Sequence, residues 1–271
     1  ASTEDLTDLE AGTYTVIVTD ANGCDDTASF EITEPTTLEI DVAGTTATPA
    51  DCNGAFTGAI DLTVSGGTAP YTYAWTGPNS FTASTEDLTD LEAGTYTVIV
   101  TDANGCDDTA SFEITEPTTL EIDVAGTTTT PADCNGAFTG AIDLTVSGGT
   151  APYTYAWTGP NGFTASTEDL TDLEAGTYTV IVTDANGCDD TASFEITEPS
   201  TLEIDVAGTT TTPADCNGAF TGAIDLTVSG GTAPYTYAWT GPNGFTASTE
   251  DLTDLEAGTY TVIVTDANGC D

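Results

Sequence analysis

The chain has 271 residues, of which 45 are Asp or Glu and none is Lys, Arg or His, so its formal net charge at pH 7 is -45. Nucleic acid and anionic membrane surfaces are excluded as partners, because proteins bind both through Lys and Arg. A Ser or Cys nucleophile needs a base such as His or Lys, so we expect no enzyme of that kind. With no internal cation, calcium is the natural counter-ion for the carboxylates.

The cysteines reveal a tandem repeat with a period of 82 residues. They form two series with that spacing, Cys24, Cys106, Cys188 and Cys270, and Cys52, Cys134 and Cys216. Each repeat has the size of a small domain. The sequence predicts the end of a repeat at 1–35, complete repeats at 36–117 and 118–199, and a nearly complete repeat without its last strand at 200–271. Because both ends fall in mid-repeat, we expect a longer array.

Within one repeat, apolar and polar residues alternate as they do in half-buried strands. In chain order the alternating stretches are Leu38–Val42, Ile60–Val64, Tyr71–Trp75, Tyr96–Val100 and Phe112–Ile114. Gly-rich and Asn-Gly turns separate them. Seven or so short strands at this spacing predict an all-β domain, a β-sandwich without long helices. Trp75 and its neighbouring tyrosines share one strand face, which favours core packing over a sugar-binding platform.

The stretch LEAGTY, residues 91–96, has the form of a tyrosine corner. In that motif a Tyr at the start of a late strand returns its hydroxyl to nearby backbone. We therefore expect Tyr96 to hydrogen-bond the residues just before it.

Three motifs together resemble the SprB-type repeat of large surface adhesins: CNGAFTGAIDLTVSGGTAPYTYAWTG, LEAGTYTVIVTDANGC and FEITEP. The resemblance extends over every repeat of the chain. It implies tandem Ig-like extracellular domains, secretion by Bacteroidota through the type IX system, and a role in adhesion or in cell-surface filaments. It carries no catalytic residues.

The motif DANGCDD at 102–108 and 184–190 admits two compatible interpretations. Asn-Gly is the favoured pair of a type I′ turn, so the motif predicts a β-hairpin. Its oxygen-bearing side chains could also bind calcium, although the twelve-residue spacing of an EF-hand is missing. The candidate calcium ligands are Asp102, Asn104, Asp107 and Asp108 in one repeat and Asp184, Asn186, Asp189 and Asp190 in the next.

The extracellular resemblance implies that the cysteines are oxidised. The pairings Cys24–Cys52, Cys52–Cys188 and Cys52–Cys106 all repeat with the period of the chain, and we retain the last two. In the first, disulfides join neighbouring domains, Cys52–Cys188 and Cys134–Cys270, because end-to-end Ig-like domains bring these loops together. In the second, they lie within domains, Cys52–Cys106, Cys134–Cys188 and Cys216–Cys270, if the loop before the second strand crosses over. The sequence leaves both open, with Cys24 the remaining cysteine.

The tripeptide Asp-Thr-Ala resembles the acceptor site of Bacteroidota O-glycosylation. This resemblance makes Thr27, Thr109 and Thr191 candidate glycan carriers. The simpler interpretation is that each of these threonines begins the last strand of its domain.

We therefore expect a structural stalk or filament of a secreted, acidic surface protein that supports adhesion, at the cell surface or outside the cell. The expected partners are neighbouring repeats and other copies in a fibre. An alternative is a calcium-dependent, multivalent module that binds a glycan or a surface. A glycosidase with paired carboxylates is disfavoured, because an identical site would recur in every repeat. Direct membrane insertion is not expected.

Overall fold

The structure is a computed structural model that describes residues 5–271. The first four residues of the predicted 1–35 segment therefore lie outside the described residues. The chain divides into two compact units, one ending at Pro117 and the other running from Thr118 to Asp271, and each is described by itself. Residues 5–271 contain no helix with the length and apolar character needed to cross a membrane.

The first unit begins with an antiparallel hairpin of β1 (Gly12–Thr19) and β2 (Asp25–Ile32). Its sequence is repeated in the complete domain that follows, but its side chains are not buried. Val16 and Val18 are 45% and 63% exposed, whereas the equivalent Val98 and Val100 are fully buried. In the complete domain the equivalent valines are covered by the other strands of the core.

The complete domain of the first unit has nine strands. They are β3 (Glu39–Ile40), β4 (Thr46–Thr48), β5 (Gly58–Asp61), β6 (Val64–Ser65), β7 (Thr72–Thr76), β8 (Thr82–Ala83), β9 (Leu88–Leu91), β10 (Gly94–Thr101) and β11 (Asp107–Ile114), with a one-turn 3-10 helix at Pro78–Ser80.

These strands form two layers around one core. One layer is a four-stranded sheet in the order β11-β10-β7-β8, and the other contains the three-stranded sheet β4-β5-β9 and the pair β3-β6. All pairings are antiparallel. Trp75 on β7 lies opposite Val98 on β10, and both are buried in the core. The indole of Trp75 donates to the carbonyl of Thr85 at 3.0 Å, which satisfies its N–H group.

The second unit contains two further domains with the same order of elements. The first consists of β12 (Glu121–Ile122), β13 (Thr128–Thr130), β14 (Gly140–Asp143), β15 (Val146–Ser147), β16 (Thr154–Thr158), β17 (Thr164–Ala165), β18 (Leu170–Leu173), β19 (Gly176–Thr183) and β20 (Asp189–Ile196), with a 3-10 helix at Pro160–Gly162.

The last domain ends one strand earlier. It consists of β21 (Glu203–Ile204), β22 (Thr210–Thr212), β23 (Gly222–Asp225), β24 (Val228–Ser229), β25 (Thr236–Thr240), β26 (Thr246–Ala247), β27 (Leu252–Leu255) and β28 (Thr261–Thr265), with a 3-10 helix at Pro242–Gly244. Its core is smaller than that of the complete domains, and Tyr260 is only half-buried where Tyr178 is buried.

The prediction of an all-β sandwich is confirmed, and the apolar residues predicted to face the core in the alternating stretches are buried or half-buried, with one exception. Val42 was predicted to share the buried face of Leu38 and Ile40, but it is 58% exposed. The strand ends at Ile40 because the Asp41 carboxylate accepts hydrogen bonds from the backbone N–H groups of Ala43 and Gly44. That turn directs Val42 away from the core.

The tyrosine corner is present in each domain. The Tyr96 hydroxyl donates to the carbonyl of Glu92 at 3.0 Å, and Tyr178 makes the same bond to Glu174. Gly94, which lies between Glu92 and Tyr96, has a φ of 147°. A side chain at this position would overlap the ring of Pro78. The glycine therefore allows the corner to pack against the 3-10 helix.

We predict that Tyr178→Phe lowers the free energy of unfolding of its domain by about 0.5–1.5 kcal/mol, the usual loss for one neutral hydrogen bond. Urea titration followed by tryptophan fluorescence measures this change. Tyr14→Phe is the matched control, because Tyr14 makes the same bond to Glu10 at 2.8 Å in the exposed hairpin. An equal effect of both variants, or none from Tyr178→Phe, would contradict the assignment.

Candidate functional site

The DANGC turn connects the last two strands of each complete domain and follows β28 in the last one. It is organised by its first residue. In the first unit, one carboxylate oxygen of Asp102 accepts hydrogen bonds from the backbone N–H groups of Asn104 and Cys106, both at 2.9 Å. The other oxygen accepts from the backbone N–H of Thr68 at 2.9 Å. Asp102 therefore shapes its own turn and ties it to the Gly-Gly loop of the same domain.

The prediction of a hairpin is confirmed, but the predicted type I′ turn is wrong. Thr101 pairs with Asp107, and inside this pair the backbone N–H of Asp102 donates to the carbonyl of Cys106 at 2.9 Å. Three residues rather than two therefore lie between the residues that this hydrogen bond joins. A type I′ turn needs positive φ at both central residues. Gly105 has a φ of 86°, whereas Asn104 is not among the described residues with positive φ. The Asp102 carboxylate takes hydrogen bonds that a two-residue turn would leave unmade, and this stabilises the wider loop.

The same hydrogen bonds favour the ionised carboxylate. The backbone N–H of Cys106 makes the largest contribution to holding the pKa of Asp102 below its ordinary value, and the N–H groups of Thr68 and Asn104 add to it against the effect of burial. Asp266 at the equivalent position shows the same direction for the same reason. Although its side chain is buried, Asp102 thus remains charged without any cation beside it.

Most candidate calcium ligands of this motif are hydrogen-bonded to other groups of their own domain, and Asp107 is exposed to solvent. Asp108 on β11 accepts a hydrogen bond from the backbone N–H of Ile40 at 2.8 Å, so it fastens two strands of its domain. The Asn104 side chain donates to the Thr68 hydroxyl at 2.9 Å, and Asp107 is exposed.

The second candidate set is arranged in the same way, with Asp184, Asn186, Asp189 and Asp190 at the equivalent positions. In residues 5–271 no group of three or more Cys, Asp and Glu side chains is placed to hold a metal ion. Calcium binding stays a prediction.

A second loop, which we call the cysteine loop, carries Cys52 in the first unit and Cys134 in the second. It is fastened to the segment where the chain leaves its own domain. The Asn135 side chain donates to the Glu198 carboxylate at 2.9 Å and to the Pro199 carbonyl at 3.2 Å. The backbone N–H of Gly136 donates to the other Glu198 oxygen at 2.6 Å.

The first unit contains the same clamp, in which Asn53 and Gly54 donate to Glu116 at 2.8 and 2.6 Å. The cysteine loop is thus held at the exit of its domain in both complete repeats. In the second unit this position brings the cysteine loop next to the domain that follows.

Within the second unit, the cysteine loop meets the DANGC turn of the last domain. Cys134 and Cys270 form a disulfide with a Cα–Cα distance of 5.8 Å. Beside it, the Asn268 side chain donates to the Asp133 carbonyl at 2.7 Å. Thr201, just past the boundary between these domains, donates its hydroxyl to Asn135 at 3.0 Å. One disulfide and two hydrogen bonds therefore join the successive domains of this unit.

Of the two predicted cysteine pairings, the one between neighbouring domains is present as Cys134–Cys270. Because Cys134 is bonded to Cys270, the within-domain alternatives Cys134–Cys188 and Cys216–Cys270 do not form. Cys106 and Cys216 carry free thiols, so the within-domain alternative Cys52–Cys106 is wrong as well. The physical reason is the placement of the two loops. The cysteine loop is clamped at the domain exit, whereas the turn that carries Cys188 is tied through Asp184 to Thr150 in the Gly-Gly loop. The Cys52–Cys188 pairing stays a prediction.

The candidate glycan carriers Thr27, Thr109 and Thr191 all lie on the last strand of a hairpin with exposed side chains. Their backbone N–H groups donate to the carboxylate of the preceding Asp in each case. This geometry agrees with the simpler interpretation of a strand residue, and glycosylation stays a prediction.

Sequence reasoning missed the clamp between the cysteine loop and the domain exit. Neither Asn135 nor Glu198 was a candidate residue, because an Asn-Gly pair is typical of a turn and a Glu-Pro pair is typical of a linker. The available signal was their common period, since CNG and EP recur together in every complete repeat. Nothing in the spacing says which of the many carboxylates each asparagine contacts.

Three segments of the chain, 44–80, 126–162 and 208–244, match the family model of the SprB repeat. In these three segments the chain is similar to the SprB repeat. Each matched segment runs from the turn after the first short strand through the cysteine loop to the 3-10 helix. No curated protein matches the chain.

Several solved structures are similar to this chain. A tetra-tandem repeat from the extending region of a large adhesion protein shares 18% identity, with 98% of this chain and 75% of that chain covered and a TM-score of 0.27. A C-terminal fragment of intimin in complex with the intimin-binding domain of its translocated receptor shares 21% identity, over 65% of this chain and 68% of that one, with a TM-score of 0.32.

Extracellular domains 3–5 of Drosophila OTK share 11% identity, with 86% of this chain and 94% of that one covered and a TM-score of 0.25. At these identities the likeness concerns the fold alone.

We predict that Asp102→Asn lowers the melting temperature at pH 7. Both carboxylate oxygens of Asp102 accept hydrogen bonds from backbone N–H groups. The NH2 group of an asparagine would replace one of these acceptors with a donor, which would face either Thr68 or the pair Asn104 and Cys106. The effect is pH-dependent. Since folding lowers the pKa of Asp102, its ionised form stabilises the fold above about pH 3.8, and this contribution disappears as the pH falls through the lower, folded-state value.

Thermal unfolding of both proteins between pH 2 and 8 measures this dependence, and the two melting curves should converge at the acid end. The exposed Asp107→Asn provides the control with the same charge change. If the control lowers the melting temperature as much as Asp102→Asn, net charge rather than the turn explains the effect.

Proposed function

We propose that this chain is a structural stalk segment of a secreted, acidic surface protein, in which covalently joined repeats support adhesion at a distance from the cell. The single observation that carries the proposal is the Cys134–Cys270 disulfide, which joins consecutive domains rather than closing one of them. The SprB repeat match and the Ig-like fold agree with this role. An extracellular location fits the disulfide, because such bonds persist in oxidising compartments.

The position of the disulfide determines how the second unit carries tension. A force along the chain enters at Thr118 and reaches Cys134 after a short segment. It then crosses to Cys270, close to the other end of the unit. Most of the two domains lies between these cysteines and is removed from the path of the force. We propose that the stalk resists extension for this reason, and that Cys52–Cys188 continues the same pattern.

This mechanism predicts a specific difference in single-molecule pulling from the two chain ends. The cysteines are 136 residues apart, so the disulfide should withhold about 450–490 Å of unfolded contour length at 3.3–3.6 Å per residue. The Cys52–Cys188 loop would overlap this one, so the comparison is made in a chain that carries Cys52→Ser and Cys188→Ser. In that background the further double variant Cys134→Ser with Cys270→Ser should release that length.

The matched control is Cys24→Ser with Cys216→Ser, which removes two exposed free thiols and should leave the contour length unchanged. If the oxidised chain extends equally with and without Cys134 and Cys270, the disulfide between them does not carry the force and the proposed mechanism is wrong.

We also propose calcium as a counter-ion of the array. The support is electrostatic, because 45 carboxylates without one internal cation repel each other, and calcium prefers such oxygen ligands. Exposed acids such as Asp107 are the available ligands, since the Asp102 oxygens accept backbone hydrogen bonds.

Millimolar calcium should raise the melting temperature of the chain by more than sodium chloride of equal ionic strength, a control that removes general screening. Differential scanning calorimetry in calcium, in sodium chloride and in EDTA makes the comparison. Equal melting temperatures in calcium and in matched sodium chloride would rule out specific calcium binding.

A further inference from the structure

Each complete domain exposes a flat sheet face that carries no charge at its centre. We define the outer face as the side chains of β7, β10 and β11 that point away from the core. At its centre Ile99, 44% exposed, lies opposite Ala74 on one side and Thr109 on the other. The positions around them on the three strands are Thr or Ser. The second unit repeats this face with Ile181, also 44% exposed, between Ala156 and Thr191.

The composition of the outer face is unusual for this molecule. The chain has a net charge of -45, yet acids enter this face only at the two ends of β11, at Asp107 and Glu113. Alternation along the strand sends the side chain of Asp108 to the other side, where it bonds Ile40. The carboxylates are thus kept away from the centre of the sheet.

Hydroxyl side chains allow two copies of the same surface to hydrogen-bond. A Ser or Thr hydroxyl both donates and accepts, whereas an ionised carboxylate only accepts. On the outer face Thr97 and Ser111 already bond each other across the strands at 2.8 Å, as do Thr179 and Ser193. Two acidic surfaces of this chain have no donor for each other, but two outer faces have both donors and acceptors.

Charge decides which partner fits. A basic protein would be drawn to the acidic surfaces of the chain rather than to its neutral face. A second copy repels the first wherever their carboxylates meet, so the outer face is where two copies approach with the least repulsion. A self-complementary face also satisfies the two-fold symmetry of most protein dimers, in which the same patch is used by both subunits.

We propose that each outer face is a lateral contact through which a second copy of this chain binds, sheet against sheet, with Ile99 at the centre of one face and Ile181 at the centre of the other. Because Asp107 and Glu113 flank the face, association requires screening and strengthens with salt. This dependence is opposite to that of an interface held by opposite charges. A glycan on Thr109 or Thr191 would cover the same face and prevent the contact.

Sedimentation velocity of the full chain, produced without glycosylation, tests the proposal at neutral pH. In about 0.01 M sodium chloride, where the Debye length is roughly 30 Å, we expect monomers, and in about 1 M, where it is roughly 3 Å, dimers or larger assemblies. Ile99→Glu with Ile181→Glu should lower the association constant at high salt by at least about tenfold, because like charges would then meet at the centre of the contact.

The matched control is Val42→Glu with Val124→Glu, which adds the same charge at side chains that are 58% and 60% exposed on turns outside the outer face. It should associate like the unaltered chain. A second pair, Ala74→Asp with Ala156→Asp, places the new charge on the neighbouring strands β7 and β16 and should also abolish association. This pair keeps the test valid if the isoleucine variant does not fold.

Three results would overturn the proposal. The first is a chain that stays monomeric at every salt concentration. The second is unchanged association of both folded outer-face variants. The third is an equal loss in the turn control, which would assign the effect to net charge. None of these outcomes depends on the Cys134–Cys270 disulfide, so the stalk proposal, which rests on that disulfide, is tested independently.

Discussion

The structure depends on how a chain without a single cation satisfies its carboxylates. In most proteins a buried acid is paired with Lys, Arg or a metal; here backbone N–H groups take that place. Asp102 accepts three such bonds within its turn and from the Gly-Gly loop, and Asp108 accepts one from β3. Glu116 and Glu198 hold the cysteine loops in the same manner. The acids therefore shape turns and fasten strands, and the charge that remains faces outward.

The same constraint explains the junction between domains. Two acidic domains repel each other, and the sequence offers no salt bridge to join them, so a covalent bond is the effective substitute. The clamp from Asn135 and Gly136 to Glu198 fixes the cysteine loop at the domain exit. The Asp266 carboxylate orders the turn that carries Cys270 through the N–H groups of Asn268 and Cys270. Both ends of the disulfide are thus positioned before the bond forms, which reduces the entropy lost on forming it.

Period-two alternation and glycine turns were sufficient to predict the sandwich, because each repeat has one buried face and the core follows from it. The tyrosine corner was also predictable, since LEAGTY is a local motif. The end of the first strand at Ile40 and the width of the DANGC turn were not, because both depend on which N–H groups a carboxylate reaches. The cysteine pairing was predicted only as one of two alternatives, since both repeat with the same period and only the clamp of the cysteine loop distinguishes them.

The central claim is that Cys134 is bonded to Cys270 of the following domain. Cleavage after Glu releases Cys270 in the C-terminal peptide 257–271, but the peptides that carry Cys134 and Cys216 are identical in sequence, so mapping of the unaltered chain does not distinguish the two pairings. Non-reducing peptide mapping of Cys216→Ser and of Cys134→Ser does distinguish them. The account predicts that peptide 257–271 stays disulfide-linked in Cys216→Ser and becomes free in Cys134→Ser. The reverse pattern would place the disulfide within the last domain and contradict the account.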